Sequence, residues 1–179
     1  MYITPEADGT LKYTSLAPEQ PDGAGTAEDP YLIDTPNNWR WLESQTNATP
    51  NNHFNNTYFK LLCNLDYKGV TDTKPVGHLD SSKTWYRFNG VLDGNGKLIQ
   101  NFTYIESTTV WGDCVGIIGA LGDGGQVRNL GKVGGNIAGR VNAGGIVGIA
   151  NDNSLIEGCF NTGEVSTIRD IAGGILGNA

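Results

Sequence analysis

Val115-Gly116-Ile117-Ile118-Gly119 recurs as Gly144-Gly145-Ile146-Val147-Gly148, and again as Gly173-Gly174-Ile175-Leu176-Gly177. The steps from Gly116 to Gly145 and from Gly145 to Gly174 are equal, 29 positions each, and no gap falls between them. The intervening text keeps step. Val127 matches Ile156, Leu130 matches Cys159, Gly134 matches Gly163, Arg140 matches Arg169 and Asp123 matches Asp152. A fixed period between about 20 and 50 residues marks a chain that stacks one unit on the next. A unit of this size cannot bury its own apolar face, so the period constrains the fold more than composition does.

Each unit carries short apolar pieces, none long enough for a helix, with glycine throughout. Turn formers separate them: Asn151-Asp152-Asn153, Asn161-Thr162-Gly163 and Gly122-Asp123-Gly124-Gly125. Three short strands and their turns in each repeat make one coil of a parallel β-helix. Leucine-rich repeats of similar period need Leu at fixed offsets, and this text lacks them. Equivalent residues then stack one rung apart, about 4.8 Å. Ile117, Ile146 and Ile175 are expected to form one column, and Ile118, Val147 and Leu176 another on the opposite face of the strand. Phe102, Leu130 and Cys159 form a third, interior column. The paired glycines either supply positive φ at a corner or admit the neighbouring coil.

A degenerate earlier copy is read by aligning Phe88-Asn89-Gly90 with Ile117-Ile118-Gly119 and Ile99 with Val127. The repeat coils then occupy 85–179, and the text stops inside a repeat. Residues 29–84 form the N-terminal cap and first coils. Residues 1–28, broken by Pro5, Pro18 and Pro21, read as a leader or linker. Within the cap, Thr35 to Gln45 is a helix with Thr35 as N-cap and Pro36 in its first turn. Trp39, Trp41 and Leu42 on this helix are expected to cover the first open coil, which would otherwise pair edge to edge. The fold expected is all-β, a right-handed parallel β-helix with a short N-terminal capping helix.

Composition removes several functions. The chain has 179 residues and a net charge of -7, which disfavours nucleic-acid binding, because phosphate contacts need a basic patch. No apolar run is long enough to span a membrane, and the stretch from Met1 to Glu28 holds no apolar signal-peptide core. Cys63, Cys114 and Cys159 are odd in number and widely spaced, so they read as buried thiols. His53 and His78 are the only histidines and lie far apart in loop-like text, which excludes the helical His pair of a zinc protease. There is no Gly-x-Ser-x-Gly elbow and no phosphate loop. No catalytic residue and no resident cofactor is assigned.

Weaker signals remain. Polysaccharide-cleaving β-helices need converging carboxylates, but only Asp123 and Asp152 repeat in register here, within a turn. Turn acids commonly bond their own backbone. Stacked, these two are also the candidate ligands for a Ca²⁺ ion, since like charges one rung apart repel. Arg140 and Arg169 form a ladder suited to sugar acids or sulfates. Trp85, Tyr86 and Trp111 are the candidate aromatic contacts for a ligand.

Gly25-Thr26-Ala27-Glu28-Asp29-Pro30-Tyr31-Leu32-Ile33 resembles the opening of many bacterial surface β-helix domains. Phe88-Asn89-Gly90-Val91-Leu92-Asp93-Gly94-Asn95-Gly96 is similar to one of their common coils, and the Gly-Gly-Ile-Val-Gly copies resemble the GLUG repeat. That repeat occurs in bacterial adhesin-like surface proteins and upstream of immunoglobulin A1-specific metallopeptidase domains. The resemblance covers about residues 25–179. It implies an exported, multidomain protein located extracellularly or at the cell surface. The function expected is a non-enzymatic adhesin-like or stalk module binding a host, matrix or glycan ligand. One alternative is a fragment of a secreted peptidase or polysaccharide-active enzyme with its catalytic domain elsewhere. Another is an assembly subunit such as a phage-tail component. Further domains of the same polypeptide, or a stacking partner, are expected at the open C-terminal end.

Overall fold

The computed structural model describes residues 3–5, 11–13, 16–50, 54–106 and 114–179. Among the described residues, parallel strands stack in register into five faces of a β-solenoid, with one helix, α1 (Pro36–Ala48). The longest face holds five levels: Tyr31–Ile33, Tyr58–Leu61, Val91–Asp93, Gln126–Arg128 and Leu155–Glu157. The second stacks Leu65–Asp66, Leu98–Gln100, Gly131–Val133 and Phe160–Asn161. The remaining three each hold three levels.

One coil therefore carries five short strands, not the three expected. Between Gln126 and Ala150 the strands are Gln126–Arg128, Gly131–Val133, Asn136–Gly139, Asn142–Gly144 and Val147–Ala150. The physical reason is corner chemistry. Asn129 (φ 51), Gly134 (φ 64) and Gly135 (φ 69) take the left-handed region and turn the chain after every few residues.

The register of the repeat holds in the last coils. Val127 pairs with Ile156, and Ile118, Val147 and Leu176 pair in succession. Ile117 and Ile146 sit in bends just before their strands and are buried as completely as Ile118 and Val147. The two columns are thus both interior, because the chain bends between them, and do not lie on opposite faces of one strand. The paired glycines serve close approach. A Cβ on Gly148 would meet the Val115 nitrogen at 2.6 Å and the Gly119 oxygen at 2.7 Å in the adjacent coil.

The earlier copy pairs differently from the sequence alignment. Leu92 lies on Val127, Ile99 on Lys132, and Phe88 bridges Leu121. Turn length causes the slip: Gly94–Lys97 occupies a corner that the next coil turns with only Asn129 and Leu130. Phe102 consequently leaves the Leu130 column. The Asn101 amide donates to the Val133 carbonyl, which sets Phe102 beside Gly135.

The core runs up the inside of the coil. Phe59, Leu92 and Val127 form one buried column, and Leu65 and Ile99 begin another that continues as Lys132. Each fully buried apolar side chain contributes about 1.5–3 kcal/mol. Of the cysteines, Cys114 is buried, Cys159 is half-buried, and Cys63 is exposed, against expectation. Its thiol lies at a corner and donates to the Asp34 carbonyl at 3.0 Å.

Helix α1 begins as its sequence dictates. The Thr35 hydroxyl accepts from the Asn38 amide at 3.2 Å, and Asn38 Oδ1 accepts from the Thr35 amide at 3.1 Å. Asn38 fills the capping-box position usually held by Glu or Gln. Trp39 and Leu42 pack into the core. Arg40 and Glu43 are also buried, joined to each other, and Arg40 pairs with the Asp72 carboxylate at 2.8 Å. Residues from Leu16 onward lie against the helix and first coil. Asn38 donates to the Glu19 carbonyl at 3.1 Å, Asp22 bridges Leu32, and the Tyr58 amide donates to the Gly25 carbonyl at 2.9 Å.

Candidate functional site

One coil is interrupted. Val76 bridges Ile118 and Phe88 bridges Leu121, so the chain leaves and rejoins one face at the two ends of the strand Ile118–Leu121. That strand covers the distance in four residues, whereas the coil below needs nine more. In an otherwise periodic array, a lengthened connection between strands is where binding surfaces arise.

The extra residues form a hairpin of His78–Leu79 paired antiparallel with Trp85–Tyr86. Asp80 shapes its tip, where Oδ1 accepts from the Ser82 amide at 2.9 Å and the Thr84 amide at 2.8 Å. Gly77 (φ 78) starts it, and a Cβ there would meet the Tyr86 carbonyl at 2.7 Å. The hairpin is rich in stacked rings. The His78 imidazole lies 4.6 Å from the Tyr86 ring and within 5° of parallel, and the Arg87 guanidinium sits 4.2 Å over Trp85. Two of the three predicted aromatics therefore share this element. Trp111 lies outside the described residues.

A cleft of about 360 Å³ opens at the hairpin root, between it and α1. Its polar lining is Glu43, Asn47, Lys74, His78, Tyr104 and Glu106, and Leu79 and Val115 supply apolar wall. Asn47 is the organiser. Its Nδ2 donates to the Pro75 carbonyl at 2.9 Å and to Glu43 Oε1 at 3.2 Å. Its Oδ1 accepts from the Gly77 amide at 2.8 Å and lies 3.3 Å from His78 Nδ1. Across the cleft, the Tyr104 hydroxyl donates to Glu106 Oε2 at 2.7 Å.

Burial tunes two of these groups. It raises the Glu43 carboxyl above its ordinary range, with Arg40 and Asn47 pulling it partway back. It lowers the His78 imidazole, which favours the uncharged ring, with Asp80 pulling it partway back. The arrangement brings carboxylates, an amine, an amide and a phenol together around one space.

The other predicted residues lie elsewhere. Asp123 and Asp152 occupy stacked turns at the rim of a groove that also includes Asn153 and Asn178. The Asp123 carboxylate accepts from Asn153 Nδ2 at 3.1 Å, so an amide meets it. Among the described residues, no group of three or more His, Cys, Asp or Glu side chains is placed to hold a metal ion. Arg140 is half-buried with its Nε lacking a partner, and Arg169 is exposed in the coil above. Sequence reasoning missed Glu43, Asn47, Lys74, Tyr104 and Glu106. The available signal was the failure of the repeat period below Phe88, which marks an insertion.

No protein-family model matches the chain. It is 27% identical over 143 residues to halomucin of Haloquadratum walsbyi, covering 80% of this chain and 2% of that protein. It is 32% identical over 112 residues to a protein of Evansella cellulosilytica named a Gly-rich membrane protein, covering 63% of this chain and 12% of that one. The chain therefore spans a small part of the length of these relatives. Among solved structures it resembles a Bacteroides ovatus protein provisionally named an immunoglobulin A1 protease. That likeness has a TM-score of 0.56 at 22% identity, over 84% of this chain and 44% of the other. It bears on fold alone. No helix among the described residues is long and apolar enough to cross a membrane.

Proposed function

We propose that this chain is a non-enzymatic, GLUG-type module of a longer bacterial surface protein, and that it binds an extracellular ligand on the flank bearing the hairpin. The observation that carries this reading is the nine-residue insertion between Val76 and Phe88 in an otherwise periodic coil. A solenoid needs no such excursion for stability, since Ile118–Leu121 closes the same face without one. The similarity to a short stretch of a much longer protein named a membrane protein supports placement at a cell surface.

The test compares the chain with a variant in which residues 77–87 are replaced by two residues, as in the coil above. Both are applied to arrays of glycans and matrix proteins. The expected result is binding by the parent and its loss in a variant that keeps the parent's circular dichroism. Equal binding by both, or no binding by the parent, overturns the reading. Bond cleavage in a ligand by the parent would move the assignment to an enzyme fragment.

A further inference from the structure

We infer that the outer surface of the longest face pairs with the same surface of a second copy of this chain, the two solenoids running antiparallel. This does not rest on ligand binding at the hairpin. Phe59, Leu92 and Val127 point inward on this face, so their neighbours along each strand point outward. One outward column is Lys60, Asp93, Arg128 and Glu157, in register from coil to coil. Its charges alternate in sign at every level, about 4.8 Å apart. Beside it runs a second outward column of Tyr58, Val91, Gln126 and Leu155.

The order of the charges selects the partner. A two-fold axis between the copies and parallel to the strands turns each column over onto itself. A column reading plus, minus, plus, minus then meets minus, plus, minus, plus. Lys60 faces the partner's Glu157 and Asp93 faces the partner's Arg128, and the symmetry makes each contact twice. The same rotation sets Tyr58 on the partner's Leu155, burying apolar surface of both. An axis along the solenoid would instead lay the charged column on the Tyr58 column and pair none of the charges. A ligand of one sign would meet two like charges on this strip.

The four charges are not spent on one another. Among the described residues, no ion pair joins any two of them. Asp93 accepts from the Asn95 amide at 2.8 Å and from Asn129 Nδ2 at 3.2 Å, both on Oδ1. Leu155 and Glu157 are exposed, and the rest of the two columns is half-buried. The strip is far smaller than the roughly 800 Å² per partner of a stable interface. The association is therefore weak by itself, and many copies on one surface multiply it.

The experiment is sedimentation equilibrium on the full chain at concentrations up to about 500 μM, a range that detects weak contacts. The buffer holds about 0.1 M salt, which screens repulsion between whole molecules beyond about 10 Å and spares contacts across the interface. The parent's average mass is expected to rise with concentration from that of one chain toward that of two. Lys60→Glu and Glu157→Lys, each checked for the parent's circular dichroism, are each expected to self-associate about tenfold more weakly. Mixed in equal amounts they are expected to recover the parent's association, because every facing pair is again opposite in sign. Glu157→Lys also removes two of the seven net negative charges, so a contact governed by net charge would tighten in that variant. A parent that stays monomeric, a tighter Glu157→Lys, single variants that associate like the parent, or a mixture no tighter than its components overturns the inference. Equal association in every variant would place the contact at the open coil ends instead.

Discussion

Asn153 donates its side-chain amide to the Asp123 carboxylate at 3.1 Å, reaching from one coil to the coil before it. The same clasp joins Asn129 to Asp93 at 3.2 Å and Asn101 to Asp66 at 2.8 Å, each time at a corner. A polar corner residue in one coil thus fastens the next. Each bond is charge-assisted but partly or fully in water, which weakens it. Asp93→Ala is expected to cost about 1 kcal/mol in urea unfolding, and Asp93→Asn less, since an amide oxygen still accepts. Equal stability of all three proteins would remove the clasp as a stabilising device.

Gly124 (φ 71) and Asn153 (φ 59), one repeat apart, hold the same left-handed conformation in successive coils. A Cβ on Gly124 would meet nothing within 4 Å, so any cost of substitution is conformational. Gly124→Ala should lose about 1 kcal/mol. Gly124→Asn should lose less than half of that, because Asn tolerates this region. Denaturant midpoints of the two variants check the order.

Arg40 and Glu43 are buried together beneath α1. Removing one partner leaves the other charge without compensation, so Arg40→Ala should destabilise by about 3–5 kcal/mol. Glu43→Gln should cost less than Arg40→Ala, because burial already raises that carboxyl and Asp72 remains beside Arg40. Calorimetric melting of both variants tests the asymmetry.

Lys132 occupies an interior column between Ile99 below and Asn161 above. Its amine donates to the Gly134 carbonyl at 2.7 Å and the Gly135 carbonyl at 3.3 Å, and burial pushes its pKa down to about 8. Between that value and the usual 10.5 the unfolded chain holds more protons than the folded one. Stability therefore rises with pH across this window. Urea unfolding at pH 7.5 and 9 should show the increase, and Lys132→Met should abolish it.

The period of Gly116, Gly145 and Gly174 made the solenoid legible, and at Gly116 and Gly145 a Cβ would clash with the backbone of the next coil. Thr35 and Pro36 likewise announced the helix start. The first coils were legible only as apolar text. Their turns differ in length, so Phe88-Asn89-Gly90 was set against the strand Ile118–Leu121 in the wrong register, Phe88 bridging Leu121. The cleft was hidden for a related reason. Glu43, Tyr104 and Glu106 come from elements far apart in sequence, and only the stacking of coils against α1 brings them together. Trp85 and Tyr86 stand out as an aromatic pair in polar text, and the fold places them on the hairpin without bringing them into the lining of the cleft.

Val127 and its register partner Ile156 stand a full coil apart along the chain and one strand spacing apart in space. That coil adds about 4.8 Å of height, whereas fully extended it would reach roughly 95 Å. Reach is what this architecture supplies least. Sidewall is what it supplies most, roughly six residues for every ångström of axis. A protein built this way varies most cheaply on its flank, where lengthening one connection alters the outer surface and leaves the register of every coil above it intact.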